Sequence, residues 1–299
     1  MPPIRPPYRS MTLLAAPAAR RAELWRTVVG LVLAAVFAVL IILLVTVPTT
    51  FILGPQIVQD SLGAMMNSNS IPGVLTLLYS FLPQMLGLIL AVLVLMRRGP
   101  LTLIGPPRAF VRNFAVVGLP MMALWLMVMP LSVMGDQVVA NITLAQLMPW
   151  LAAVLLGLLI QTATEELVFR GYLQQQLAAR FAARWVWLGV PSVLFGLAHW
   201  SVAAPPLIAG LTMLWAGLFG LVCADLTART GNLGAGLALH FTNNISAILL
   251  VGMADNLGGL TLYHVVLPPG DIRGALQYMA LDGVSLLVSW LLARLILRV

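Results

Sequence analysis

Residues 27–47 read TVVGLVLAAVFAVLIILLVTV, 21 residues without a charge. At about 1.5 Å of rise per residue, such a helix crosses a ~30 Å hydrocarbon core. A signal peptide has a shorter apolar region and a small-residue cleavage site, so the segment reads as an uncleaved first span. Similar runs follow at about 74–96, 114–134, 147–170, 185–203, 207–226, 233–252 and 275–297. The layout is therefore eight spans behind a basic, Pro-rich tail at 1–26, which is expected to be mobile. With 61% hydrophobic and 8% charged residues, the chain cannot clothe a soluble surface, which takes about 25% charged residues. Disorder is excluded on the same ground. A membrane β-barrel would alternate apolar and polar residues in short strands. The expected fold is an all-α, polytopic transmembrane helical bundle.

The charges orient it. All sixteen basic residues are Arg. Arg5, Arg9, Arg20, Arg21 and Arg26 precede the first span; Arg97, Arg98, Arg108 and Arg112 follow the second. Arg180 and Arg184 follow the fourth, Arg229 follows the sixth, and Arg294 and Arg298 close the chain. With eight spans and both termini inside, all of these face the cytoplasm. The opposite loops carry Asp60, Asp136, Asp255 and Asp271, with Arg273 their single basic residue. This is the positive-inside pattern of an integral protein of a bacterial inner membrane. The net charge of +7 is spent on orientation, so no nucleic-acid partner is expected. Trp25, Trp150, Trp185 and Trp200 sit at expected span ends, as interfacial anchors do. Asn141-Ile142-Thr143 matches a glycosylation sequon, a tripeptide common by chance. A lone Cys223 excludes an intrachain disulfide.

Ionisable groups in a bilayer are costly and are functional candidates by default. Span four contains Glu165, Glu166 and Arg170; span five contains His199; span seven contains His240 and Asn244. Glu166 and Arg170 are four residues apart and can pair on one helix face. Glu165 points about 100° away, free of that pair and suited to the work of a general base. A Glu, two His and an Asn from three helices can activate water and donate hydrogen bonds to an oxyanion on a carbonyl. Glu165, His199 and His240 could equally ligate Zn²⁺, and spacing does not separate the two options.

Glu165-Glu166-x-x-x-Arg170, Phe195-x-x-x-His199 and His240-x-x-x-Asn244, with the context Arg170-Gly171-Tyr172-Leu173, resemble the three motifs of the CPBP family of CAAX prenyl proteases and bacteriocin-processing (Abi) enzymes. The resemblance covers about 147–250, the protease-like core of a transmembrane domain at 27–299. It implies an intramembrane endopeptidase in which Glu165 activates water with help from His199. Glu166 and Arg170 hold the site in shape, and His240 and Asn244 stabilise the oxyanion. The family is often labelled metalloprotease, and a metal-free glutamate mechanism has also been proposed for it, so zinc stays open. The implied partners are membrane lipid and a peptide or membrane-tethered protein entering from the cytoplasmic side.

Two other classes compete. A non-catalytic membrane scaffold or immunity factor would use the polar cluster structurally. A proton-coupled transporter would use the glutamates as a relay, but has no need of the Asn244 motif. Other intramembrane proteases are excluded by motif: the chain has no His-Glu-x-x-His, Gly-x-Ser-x-Gly or Gly-x-Gly-Asp. Bland readings apply elsewhere: a structural ion pair for Asp225 and Arg229, an unpartnered surface residue for His264, packing for Phe195. Depth adds one requirement. If span four stopped at Arg170, Glu165 would lie too shallow to meet His199. The helix must therefore run to about residue 179, with Gln174–Gln176 facing a water-filled cavity.

Overall fold

The computed structural model describes residues 7–66, 68–202, 204–254, 257–268 and 270–299. Arg5 and Asp255, both counted in the charge asymmetry, lie outside the described residues. A short α1 (Arg9–Ala15) runs into a 3₁₀ turn at Ala16–Arg21. There follow α2 (Leu24–Leu53), α3 (Pro55–Met66), α4 (Ile71–Tyr79) and α5 (Phe81–Ala91), the last prolonged by a π turn at Val92–Met96. Next come α6 (Pro107–Ser132), α7 (Leu144–Leu147) and α8 (Leu151–Glu166). A π segment at Leu167–Gln174 joins α8 to α9 (Gln175–Arg180). The chain continues with α10 (Arg184–Leu197), α11 (Pro206–Thr230), α12 (Gly234–Ile245), a π turn at Ser246–Leu250 and α13 (Ile272–Leu297).

The molecule is an all-α polytopic bundle. Among the described residues, six helical stretches are long and apolar enough to cross a bilayer: Leu24–Leu53, Ile71–Met96, Pro107–Ser132, Leu144–Arg180, Pro206–Thr230 and Ile272–Leu297. The fifth and seventh expected spans are shorter than the sequence suggested. α10 has 14 residues and α12 has 12, extended by a π turn of 5. α10 stops before the Pro205–Pro206 pair, and His199 already lies in a turn. α12 widens into its π turn and enters a strand.

That strand was not anticipated. β1 (Val138–Ala140), β2 (Val251–Met253) and β3 (Tyr263–Val265) form a small sheet in the order β1-β3-β2. β3 runs antiparallel to β1 and parallel to β2. The sheet knits the loops at one end of the bundle. Asn141 of the sequon is spent there: its Nδ2 donates to Gly258 O at 2.9 Å and to Thr261 O at 2.8 Å. His264 is not unpartnered as expected, since its Nε2 donates to Gly258 O at 3.0 Å.

The opposite end gathers both termini. Asp225, near the end of α11, accepts from Tyr8 Oη at 2.7 Å, Arg229 Nε at 2.8 Å and Trp290 Nε1 at 2.9 Å. The structural Asp225–Arg229 pair is therefore present, and its carboxylate also ties α13 and the N-terminal segment to α11. Of the tail at 1–26, the described stretch from Tyr8 to Ala18 packs against the bundle instead of standing free of it. Met11, Leu14 and Ala15 are buried in a cluster with Leu177, Trp187 and Leu233. A tail with Met11 and Leu14 three residues apart on one helix face has an apolar stripe to bury, which the surrounding Pro and Arg obscured. Burial and the facing Asp225 carboxylate raise the Tyr8 hydroxyl above its ordinary pKa.

The long fourth helix is present, unbroken from Leu144 to Arg180. Its Gln run does not face water. Gln174, Gln175 and Gln176 are all buried. Gln174 Nε2 donates to Ala224 O, Gln175 Nε2 to Leu103 O, and Gln176 Nε2 to Arg21 O. The amides of Gln175 and Gln176 cover carbonyls at the ends of 3₁₀ turns, and that of Gln174 adds a second donor to a carbonyl inside α11. Arg98 donates to Gln175 Oε1 at 2.7 Å, and burial lowers its pKa to about 10.

Candidate active site

The site forms where α8 turns into the π segment, against α10, α11 and α12. An extra residue in a turn rotates the following side chains, and such turns recur at functional sites. Here the change comes directly after Glu166. Arg170 nevertheless stays on the Glu166 face. Its Nη1 donates to Glu166 Oε1 at 2.9 Å, with both side chains essentially inaccessible to solvent. Its Nη2 donates to Gly220 O at 3.0 Å. A Cβ at Gly220 would stand 3.3 Å from that same nitrogen, so the missing side chain clears the approach. The guanidinium also lies over the Phe195 ring, 4.6 Å from its centroid. A snorkelling Arg is thereby excluded.

His240 stands between the two glutamates. Its Nδ1 donates to Glu166 Oε1 at 2.9 Å, and its Nε2 lies 3.4 Å from Glu165 Oε2. Glu165 is thus linked to the buried pair through one imidazole rather than free of it. Adjacent glutamates on a helix diverge by about 100°, and the aromatic ring is wide enough to touch one carboxylate with each nitrogen. Phe195 and Phe219 wall the imidazole, with centroids at 5.9 and 5.0 Å.

Glu165 is the more accessible carboxylate, with 14% of its side chain exposed against 0% for Glu166. Gln161, one turn earlier, donates from Nε2 to Glu165 Oε1 at 2.7 Å. Gln161 Oε1 accepts from Asn244 Nδ2 at 2.9 Å. The result is a continuous polar line: Asn244, Gln161, Glu165, His240, Glu166, Arg170, Gly220 O. Gln161 was missed in the sequence. Its signal was available, as a polar amide four residues before Glu165 in an apolar helix.

His199 is not in that line. It makes no hydrogen bond to either glutamate among the described residues. Its Nδ1 donates to Phe195 O at 2.7 Å, covering a carbonyl at the end of α10. Its ring stacks at 4.5 Å on Phe195, the side chain that also touches His240. A carbonyl only accepts, so Nδ1 carries a proton and Nε2 is the ring nitrogen left without a protein partner among the described residues. Five of the six expected site residues are therefore connected, with Gln161 joining Asn244 to the rest, and His199 borders them across an aromatic ring.

The zinc set does not converge in this arrangement. No group of three His, Cys, Asp or Glu among the described residues is placed to hold a metal ion. His240 has one nitrogen on each glutamate, and Glu166 is committed to Arg170.

Comparison with known proteins agrees with the motifs. An uncharacterized protein, YyaK of Bacillus subtilis (strain 168), is 33% identical over 114 residues, covering 36% of this chain and 36% of its own length. The match thus spans about a third of that relative. No solved structure matches the chain. Residues 147–246, which hold every residue of the polar line, match the model of a family described as type II CAAX prenyl endopeptidase Rce1-like. Over that third of the chain the similarity to the Rce1-like family agrees with the resemblance of the motifs to the CPBP proteases.

Proposed function

We propose that the chain is an intramembrane endopeptidase of the CAAX type, hydrolysing a peptide bond with water activated by Glu165. The observation that carries this reading is the unequal pair of glutamates around His240. Glu166 is sealed and neutralised by Arg170, whereas Glu165 is reachable and held by a single amide. Glu165 accepts a proton from water as the water attacks the scissile carbonyl. With Nδ1–H given to Glu166, His240 Nε2 and Glu165 Oε2 face each other as two acceptors with room for one proton between them. The abstracted proton can rest there until the leaving amine takes it. The lone pair on His199 Nε2 orients the water. Asn244 Nδ2, turned from Gln161, supplies a hydrogen bond to the oxyanion, and His240, when it carries the shared proton, lends its positive charge beside it.

The substrate is a peptide or membrane-tethered protein tail that enters from the Arg-rich end, which faces the cytoplasm of a bacterial inner membrane. The test uses the purified protein in bilayers with a carboxy-terminal peptide, prenylated and unprenylated. Cleavage that is lost in Glu165→Gln supports the reading. Equal cleavage by Glu165→Gln overturns it.

A further inference from the structure

The end of the bundle that gathers both termini contains a cavity of about 510 Å³. Its walls come from three helices remote in sequence: Arg112, Asn113 and Val116 of α6, Arg229 and Thr230 of α11, and the last turn of α13 with Arg298. No Asp or Glu lines it. Arg229 is held by Asp225 through Nε, at 2.8 and 2.9 Å to its two oxygens. That bond fixes the guanidinium of Arg229 in place at the cavity wall. The side chains of Arg112 and Arg298 have no hydrogen-bond or ion-pair partner among the described residues and are exposed. Val116, Ile296 and Leu297 give the cavity an apolar side.

Three guanidinium groups around one open space, with the Asp225 carboxylate bonded to one of them and outside the lining, are matched to a phosphate. Planar N–H forks meet its oxygens in pairs; of the anionic groups nearby, Asp225 engages Arg229 only through Nε, leaving its Nη groups, and Val299 in the lining is held through its O by Arg294 Nε at 3.0 Å. Apolar residues beside the charges suit what a phosphodiester carries next to it. Basic pockets between helices at the cytoplasmic surface recognise lipid headgroups by this means.

We infer that this cavity is a phosphate-binding site that takes the headgroup of an anionic phospholipid. Because Asp225 also holds Tyr8 and Trp290, an occupied cavity reinforces the contact of α1, α11 and α13. The site lies apart from the glutamates and is independent of the protease reading.

The test is lipid retention by native mass spectrometry, using the full chain from nanodiscs of phosphatidylcholine mixed with phosphatidylglycerol. The wild type retains phosphatidylglycerol in preference to phosphatidylcholine. Arg112→Gln/Arg298→Gln loses that preference by about 30-fold, as expected for two guanidinium contacts. The control Arg97→Gln/Arg108→Gln removes the same charge elsewhere and keeps it. Thermal unfolding in pure phosphatidylcholine is equal for all three, which shows that the variants fold. A second arm adds inorganic phosphate to protein in phosphatidylcholine. Stabilisation of the wild type alone there, with no phosphatidylglycerol preference, assigns the cavity to a soluble phosphate and overturns the headgroup. Equal loss in the control, or none in the cavity variant, overturns the site altogether.

Discussion

Gln161 and Asn244 sit on different helices, α8 and α12, and meet at 2.9 Å, with the Asn244 amide donating to the Gln161 carbonyl oxygen. The same Gln161 side chain gives its own amide to Glu165. One residue therefore positions both the carboxylate we propose to activate water and the amide we propose to reach the oxyanion.

Replacing Gln161 by Leu keeps its bulk and removes both bonds. Hydrogen bonds to charged groups contribute about 1.5–3 kcal/mol, so kcat/KM falls by about 10–100-fold. The protein stays folded. Gln161→Glu places a second carboxylate against Glu165 and is the more damaging change. Steady-state peptide cleavage checks both, and full activity in Gln161→Leu refutes the positioning role.

Arg170→Met strands Glu166, whose side chain has no solvent exposure. Breaking a buried pair from one side costs about 3–5 kcal/mol. The double change Glu166→Gln/Arg170→Met removes both charges and is less destabilised than Arg170→Met alone. Thermal unfolding in detergent orders the three proteins. A double variant weaker than Arg170→Met contradicts the pairing argument.

Tyr8→Phe removes the bond from its hydroxyl to Asp225 and loosens α1. Trypsin then cleaves faster at Arg20 and Arg21, which flank the docked segment. The pH dependence has a definite sign. The folded-state pKa of Tyr8 is raised above its ordinary value of 10.0 by burial and by Asp225. Its contribution is complete below that value and is lost as pH rises through the raised one. The difference in Tm between wild type and Tyr8→Phe therefore narrows above about pH 10. A constant gap across that range contradicts it.

Chelation separates the two chemistries that the sequence left open. With both His240 nitrogens set on glutamates, cleavage persists after exhaustive treatment with EDTA. Loss of activity restored by Zn²⁺ contradicts the metal-free step.

Much of this architecture was legible in the chain because bilayer length and polar cost act locally. Twenty apolar residues announce a span on their own, and Glu165, Glu166 and Arg170 stand out against their apolar context. The depth argument reached the long fourth helix because it needs only rise per residue. What failed depended on partners far away in sequence. Gln174–Gln176 looked wet because nothing local revealed the carbonyls of Leu103 and Ala224 that they satisfy. Met11 and Leu14 looked like part of a free tail because their pocket is made by Leu177 and Trp187. His240 was expected at the oxyanion or on a zinc ion, because its i, i+4 spacing to Asn244 says nothing of its place between two glutamates. The π segment after Glu166 left no sign in the sequence.

The central claim is that Glu165, and not its sealed neighbour, activates the water. Its most direct measurement is the cleavage rate of a carboxy-terminal peptide by Glu165→Gln in bilayers, with folding verified by an unchanged melting profile. General-base catalysis contributes about 10²–10⁴-fold, so the rate is expected to fall by at least about 10²-fold. A Glu165→Gln protein that cleaves at the wild-type rate would contradict the account.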